Sequence, residues 1–242
     1  LFVVAEHRAA EPIIPLALFT SRNFVLATAA GLFIGVAMFG AISYLPTYLQ
    51  MVTGVSATVS GLMMLPMVAG LMTTALTTGF LASKTGRYKW MPIASMVVLA
   101  AALWLLSTLT VETPVWVLLV HLFVLGAGIG LAMQILILIV QNSFPDSQVG
   151  TATASNNFFR EIGASLGGAV VGALFTSRLT DLLSARLPAE GGGDTNSFTP
   201  AAVNEMPEAL REIIIGAYND ALTPVFVTLI PMVLAGLVIV LF

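Results

Sequence analysis

Cysteine is absent from the 242 residues, which excludes a disulfide framework and any thiolate metal site. Histidine is nearly as scarce, and His7 with His121 are too few for an imidazole metal centre. Charge is the third shortage. Asp, Glu, Lys and Arg make up 9% of the chain, where a water-soluble domain carries roughly a quarter. The formal net charge of -3 offers no basic excess for nucleic acid or polybasic lipid recognition. Neither a nucleotide P-loop nor a dinucleotide glycine fingerprint occurs. No cluster of His, Asp, Glu or Ser suggests an enzyme at a membrane face. A basic n-region followed by an apolar run and a small-residue cleavage site is also missing, so no signal peptide is read. No cofactor and no metal are expected.

What fills the chain instead is apolar: 58% of residues are hydrophobic, gathered in uncharged runs. A hydrocarbon core of roughly 30 Å takes about 20 helical residues, and six runs meet that length. They cover 24–49, 55–83, 90–111, a fourth from Thr113-Pro114 to about Gln141, about 149–177, and 221–242. Thr113 is the expected N-cap of the fourth, with Pro114 at its first position. The fold class is therefore an all-α integral membrane bundle of six transmembrane helices. Residues 1–23 form a lead-in, 24–177 hold helices one to five, 178–220 form a loop, and 221–242 are helix six. Within the loop, Leu210, Ile213, Ile214 and Ala217 fall at helical spacing, which predicts an interfacial helix around Pro207 to Ala221. The chain opens on Leu1 rather than Met, and its first apolar residues are expected to be the tail of a preceding hydrophobic segment.

Short cytoplasmic loops carry the Lys and Arg excess. Arg8 and Arg22 precede the first span, and Lys84, Arg87 and Lys89 sit between the second and third. Both termini are thus predicted cytoplasmic, and the acidic 178–220 segment lies on the other face. Glycines four apart mark helix contact faces in lipid, here Gly31/Gly35, Gly126/Gly130, and Gly163/Gly167 with Gly168/Gly172. Pro46, Pro66, Pro92 and Pro231 each remove a backbone donor in or near a span. Pro66 and Pro231 are the best hinge candidates.

Ionisable groups in a bilayer are functional candidates by default, and His121, Arg160 and Glu161 qualify. Arg160 and Glu161 are expected near the inner end of the fifth span, in an anchoring or conformational role. On that placement no carboxylate lies mid-membrane, and a proton-coupling acid would belong to residues outside this chain.

The segment GFLASKTGRYK, Gly79 to Lys89, has the densest motif character. Gly79, Gly86, Lys84, Arg87 and Lys89 resemble the G-x-L-a-D-r-x-G-r-k loop of the major facilitator superfamily, with Ser83 at the usual Asp. EPIIPLALFTSRNF (Glu11 to Phe24), YLPTYLQMVTGVSATVSGLMMLP (Tyr44 to Pro66) and FPDSQVGTATASNNFFREIGASLGGAV (Phe144 to Val170) are similar to the fourteen-helix drug:proton antiporter branch of that superfamily. The resemblance implies the C-terminal half of a major facilitator fold. It implies a multi-pass cell-membrane protein, partnered by lipid, a small-molecule substrate, protons and an N-terminal helical half. It also implies efflux by alternating access, with the first and fourth helices lining the cavity. Phe39, Ser43, Tyr44 and Gln134 then become substrate-binding candidates, with Met63, Met64 and Met67 nearby. The alternatives are an oligomeric six-span channel and a half-transporter with a separate partner.

Overall fold

The computed structural model describes residues 14–86, 90–187 and 199–241, and within them every long apolar run is a helix. Ser21 and Ser56 start the first two crossings. Their hydroxyls accept the N–H groups of Phe24 and Val59, each at 3.4 Å, filling a donor position that the first turn leaves open. Among the described residues, six helical segments are long and apolar enough to cross a membrane: Arg22–Thr53, Ala57–Thr85, Trp90–Ser107, Val115–Gln141, Asp146–Arg186 and Glu208–Leu241. We number them as spans one to six. Gly54 and Gly86 end the first two with φ of 68° and 63°, left-handed values that suit a residue without Cβ.

Two prolines break spans instead of bending them. The first span consists of Arg22–Ile42 and Leu45–Thr53, the second of Ala57–Met63 and Leu65–Thr85. Pro46 and Pro66 lie in the first turn of each second piece, where no intrahelical N–H is needed. Pro231, and also Pro224, remain inside the unbroken sixth helix. At the fourth span Pro114, not Thr113, is the residue before the first turn. The Thr113 hydroxyl instead accepts the Thr110 N–H at 2.8 Å.

The segment expected as a loop is helical at both ends. The fifth helix runs on through Arg186 because Leu179, Leu183 and Leu187 continue a buried stripe past the first charges. The predicted interfacial helix is not a separate element. Ile214 and Ala217 are buried in the first part of the Glu208–Leu241 helix, which packs on the fifth span. The charges had ended the apolar runs without ending the amphipathic period. A short helix, Pro200–Asn204, lies against the end of the first span through buried Val203.

The first span packs against the fifth and sixth, the fourth against the second and third, and the third and sixth close the bundle. Helices in lipid gain little from hydrophobic burial and associate through close van der Waals contact. Glycine supplies that closeness twice, in one register. A methyl group on Gly35 would overlap the Arg160 carbonyl, on Gly163 the Leu32 carbonyl, and on Gly167 the Val36 carbonyl. The second and fourth spans repeat the arrangement, with Gly70 on Phe123, Gly126 on Met67 and Gly130 on Leu71. Both contacts join spans running in the same direction, since the first and fifth, like the second and fourth, are an even number of crossings apart.

Candidate functional site

Contacts between spans fix the level of each residue. Gly236 of the sixth span stands beside both Met96 of the third and Phe33 of the first. Met96 lies six residues into Trp90–Ser107, the shortest crossing, so Phe33 is just short of its midpoint. Gly35, about 3 Å further along, is at mid-depth. Gly128, near the middle of the fourth span, meets Leu99 near the middle of the third. We call the end carrying Arg22 and Lys84 the basic end. The acidic end carries Asp181, Glu205, Glu208, Glu212 and Asp220.

Phe39, Ser43 and Tyr44 gather where the first span breaks, on the acidic side of centre. Phe39 and Ser43 are exposed, and the Ser43 hydroxyl donates back to the Phe39 carbonyl at 2.7 Å. Gly168 faces the Ser43 hydroxyl at 3.8 Å, and Gly172 lies directly under the Tyr44 hydroxyl. The Tyr44 ring stands 5.4 Å from Phe175, which stands 4.8 Å from Tyr218. Aromatic rings and the Ser43 and Tyr44 hydroxyls therefore stand at the break.

Gln134 is elsewhere. It lies six residues from Gly128 toward the basic end, about 9 Å, whereas Ser43 lies eight residues from Gly35 the other way, about 12 Å. The two are separated by about 20 Å of depth. Gln134 packs on Gly79 and, with Thr78, Ser83, Gly86 and Asn142, lines a pocket of about 280 Å³ between the second and fourth spans. Thr78 is buried and its hydroxyl has no partner. The structure thus joins Gln134 to the motif residues Gly79, Ser83 and Gly86. Lys84 stands over the Phe80 ring at 5.7 Å. Arg87 and Lys89 lie outside the described residues, as do His7 and the lead-in through residue 13. Met67 is buried beneath Gly126, while Met63 and Met64 are half-buried.

Arg160 and Glu161 are not at the end of their span. The fifth helix starts at Asp146, and the Arg160 carbonyl lies against Gly35 at mid-depth. The pair therefore sits about 21 Å along the helix from its start. An Arg160 nitrogen lies 3.4 Å from the Glu161 carboxylate, with side-chain exposures of 14% and 59%. Glu161 is the next residue, about 22 Å from the start of the helix.

Three polar atoms on the same helix lack partners: Thr153 Oγ1, Asn157 Oδ1 and Arg160 Nε. Spacings of four and three residues put them on one face, forming a ladder from the basic side to mid-depth. Leaving such atoms buried and unpaired costs about 1–3 kcal/mol each. Neighbouring Asn156 is satisfied, its amide donating to Thr28 Oγ1 at 3.2 Å. Sequence reading missed this face, although Thr153 and Asn157 at helical spacing inside a span were the available signal. His121, on the acidic side, is buried with Nδ1 unpartnered.

At the acidic end the first, fifth and sixth spans are tied by polar contacts. Tyr48 donates to Asn219 Oδ1 at 2.8 Å in a buried site. Arg186 pairs with Asp220 at 2.6 Å.

Comparison with known proteins supplies the context for this geometry. The model for the Major Facilitator Superfamily matches residues 3–168. An uncharacterized MFS-type transporter of Mycobacterium tuberculosis is 41% identical over 240 residues, covering 99% of this chain and 35% of the relative. The multidrug transporter protein MdtP of Bacillus subtilis is 34% identical, covering 100% of the chain and 49% of the relative. A tetracycline resistance determinant of Streptomyces rimosus is 36% identical over 188 residues, covering 76% and 54%. The chain spans about a third to a half of the length of these relatives. Among solved structures, a bacterial homolog of the human lysosomal transporter Spinster, inward-facing and occupied, matches with a TM-score of 0.77 at 14% identity. That match covers 93% of this chain and 49% of the other.

Proposed function

This chain belongs to the major facilitator superfamily, and from that membership we propose that it forms the C-terminal six-helix bundle of a proton-coupled efflux transporter for lipophilic small molecules. It is a multi-pass membrane protein and not an enzyme. The basic end is then cytoplasmic, with both ends of the chain on that side of the cell membrane. A second six-helix bundle, for which the longer relatives have the length, packs across the face that carries Glu161.

The observation that carries this reading is the Glu161 side chain itself, 59% exposed and about 22 Å inside the fifth helix from its start. A charge at the centre of a bilayer costs roughly 3 kcal/mol or more when it faces lipid. That face of the fifth span is accordingly turned toward a partner bundle or a water-filled cavity. The two glycine contacts make the bundle suited to moving as one body, which alternating access between two halves requires. Phe39, Ser43 and Tyr44 with Phe175 offer aromatic and hydroxyl contacts to a flat, largely apolar substrate. The names of the relatives, a multidrug transporter and a tetracycline resistance determinant, support that substrate class.

The test is transport by the full-length protein in everted membrane vesicles. Accumulation of a fluorescent lipophilic dye that needs a proton gradient and collapses with protonophore is expected. Accumulation that persists in protonophore, or dye movement only down its own gradient, would reject the coupled reading.

A further inference from the structure

We propose that the pocket between the second and fourth spans at the basic end is a binding site for a small uncharged aliphatic amide or alcohol, a ligand that is held there and not carried across. The inference goes beyond the transport reading and does not depend on proton coupling.

The pocket exists because the close glycine contact stops short of the basic end. Gly70, Gly126 and Gly130 press the second and fourth spans together, backbone to backbone. Further along, a side chain on Gly79 would meet only the Gln134 side chain, at 3.7 and 3.9 Å, and one on Gly86 would meet nothing within 4 Å. The spans therefore part. The small residues Gly79, Ala82, Ser83 and Gly86 share one face of the second span and leave the gap unfilled. Its wall is nevertheless packed, since Ala82 and Ile135 form with Met91 of the third span a buried apolar cluster separate from the main core.

The lining selects the ligand. A volume of about 280 Å³ lies at the lower end of the range for ligand pockets and equals about nine waters at about 30 Å³ each. From the level of Thr78 to that of Gly86 is about 12 Å. The described residues that line the pocket include no charged group and no aromatic ring. Ala82, Ile135 and Leu138 make its middle apolar, with Thr78 and Gln134 at the inner end and Asn142 at the outer.

Thr78 is the independent sign that a ligand belongs there. It is 3% exposed and its hydroxyl has no partner, whereas the hydroxyls of Thr74, Thr77 and Thr85 on the same helix each donate to a carbonyl one turn back. The Thr78 hydroxyl is thus open as both donor and acceptor. A neutral amide or hydroxyl head answers it and the Gln134 amide, and a short aliphatic chain fills the apolar middle. Flat aromatic substrates find rings to stack on at Tyr44 and Phe175 instead, about 20 Å away in depth. A ligand in the pocket touches Gly79, Ser83 and Gly86 on one span and Gln134 on the other. It therefore wedges the two spans at this end and slows transport of every substrate by a common factor.

The experiment uses purified full-length protein in nanodiscs and a diazirine-bearing analogue of octanamide, with the labelled positions read by peptide mass spectrometry after photolysis. Labelling should saturate, fall within 78–86 and 134–142, and be displaced by octanamide but not by a transported dye. Thr78→Val, which keeps the shape of the side chain, should weaken displacement by octanamide about three- to tenfold, the usual weight of one hydrogen bond. In dye counterflow, which needs no proton gradient, octanamide should lower the rate and leave the apparent dye affinity unchanged. Labelling that never saturates, as for a chain dissolved in the bilayer, overturns the site. So does labelling confined to the surroundings of Tyr44, or none at all because the other half of the transporter covers the pocket. Stronger displacement by octanoate or octylamine than by octanamide overturns the uncharged class, and equal displacement in Thr78→Val overturns the recognition by hydrogen bonding. Counterflow inhibition relieved by more dye overturns the separation from the substrate site. A protein that moves no dye rejects the transport reading, and the labelling then decides the pocket by itself.

Discussion

The carbonyl of Arg160 lies so close to the α-carbon of Gly35 that no side chain at position 35 fits between the first and fifth spans. The mid-membrane arginine is thereby fixed by its backbone, whatever its side chain does. Gly35→Ala should separate the two helices and lower stability by about 1–3 kcal/mol, the usual effect of overpacking. The control is Gly31→Ala, whose added methyl meets its nearest neighbours at an ordinary 3.8 Å. Thermal unfolding of the full-length protein in detergent should show a lowered midpoint for the first and little change for the second. Equal midpoints would remove the argument that this contact holds the bundle together.

The matching contact between the second and fourth spans has a polar stitch. Thr74 Oγ1 donates to the Ala127 carbonyl at 2.9 Å, besides reaching carbonyls of its own helix. Interhelical bonds of this kind average about 0.6 kcal/mol in membrane proteins. Thr74→Val should therefore destabilise by about that amount, and Thr74→Ser hardly at all. The same unfolding measurement separates them.

How much of this was legible in the sequence varies with the physics behind each feature. Six crossings were readable because a bilayer imposes length and apolarity on a run of residues, whatever its neighbours do. The glycine spacings marked contact faces, but which face meets which is a tertiary fact. Gly126 and Gly130 gave no hint of Met67 and Leu71, and Gly70, with no glycine four residues away, escaped notice. Helix ends were misplaced where charges interrupt apolarity without interrupting helical period, as at Arg178 and Asp181. Polar residues inside an apolar bundle were also hard to place from sequence, since Asn156 is accommodated by Thr28 of the first span, a partner 128 positions away. Gln134 was grouped with Tyr44 by span number alone, and depth along the span separates them.

Tyr48 and Asn219 make a buried bond across 171 positions of sequence, joining the outer piece of the broken first span to the sixth. Tyr48→Phe leaves Asn219 Oδ1 without that donor and should cost about 1–2 kcal/mol. Asp220→Asn, next along the helix, removes an exposed ion pair with Arg186 and should change stability little, as such pairs usually contribute under about 1 kcal/mol. A larger effect from Asp220→Asn than from Tyr48→Phe, by thermal unfolding, would contradict this ranking.

Gly86 closes the second span in the left-handed region, with nothing within 4 Å of the space a side chain would fill. Any cost of substitution is therefore conformational, about 1–2 kcal/mol for most residues. Asn tolerates that region better than Val. Gly86→Val should slow transport by the full-length protein while leaving dye affinity unchanged, and Gly86→Asn should retain most of the rate. Normal transport by Gly86→Val would mean that this turn only reverses the chain.

Tyr44 and Gln134 provide the sharpest division, because they are about 20 Å apart in depth and sit among different neighbours. Tyr44 belongs to an aromatic group with Phe175 and Tyr218 beside exposed Phe39 and Ser43. A substrate docking there would lose contact area on Tyr44→Ala, and by different amounts for flat aromatic and for compact aliphatic dyes. Gln134 instead lines the pocket shared with Gly79 and Ser83, where it bears on how the second and fourth spans meet. Gln134→Leu should change the rate for all substrates by one common factor. Apparent affinities measured for a panel of dyes should therefore spread in Tyr44→Ala and keep their order in Gln134→Leu. The reverse pattern would place substrate recognition at the basic end, beside the motif loop, and return Tyr44 to a packing role at the helix break.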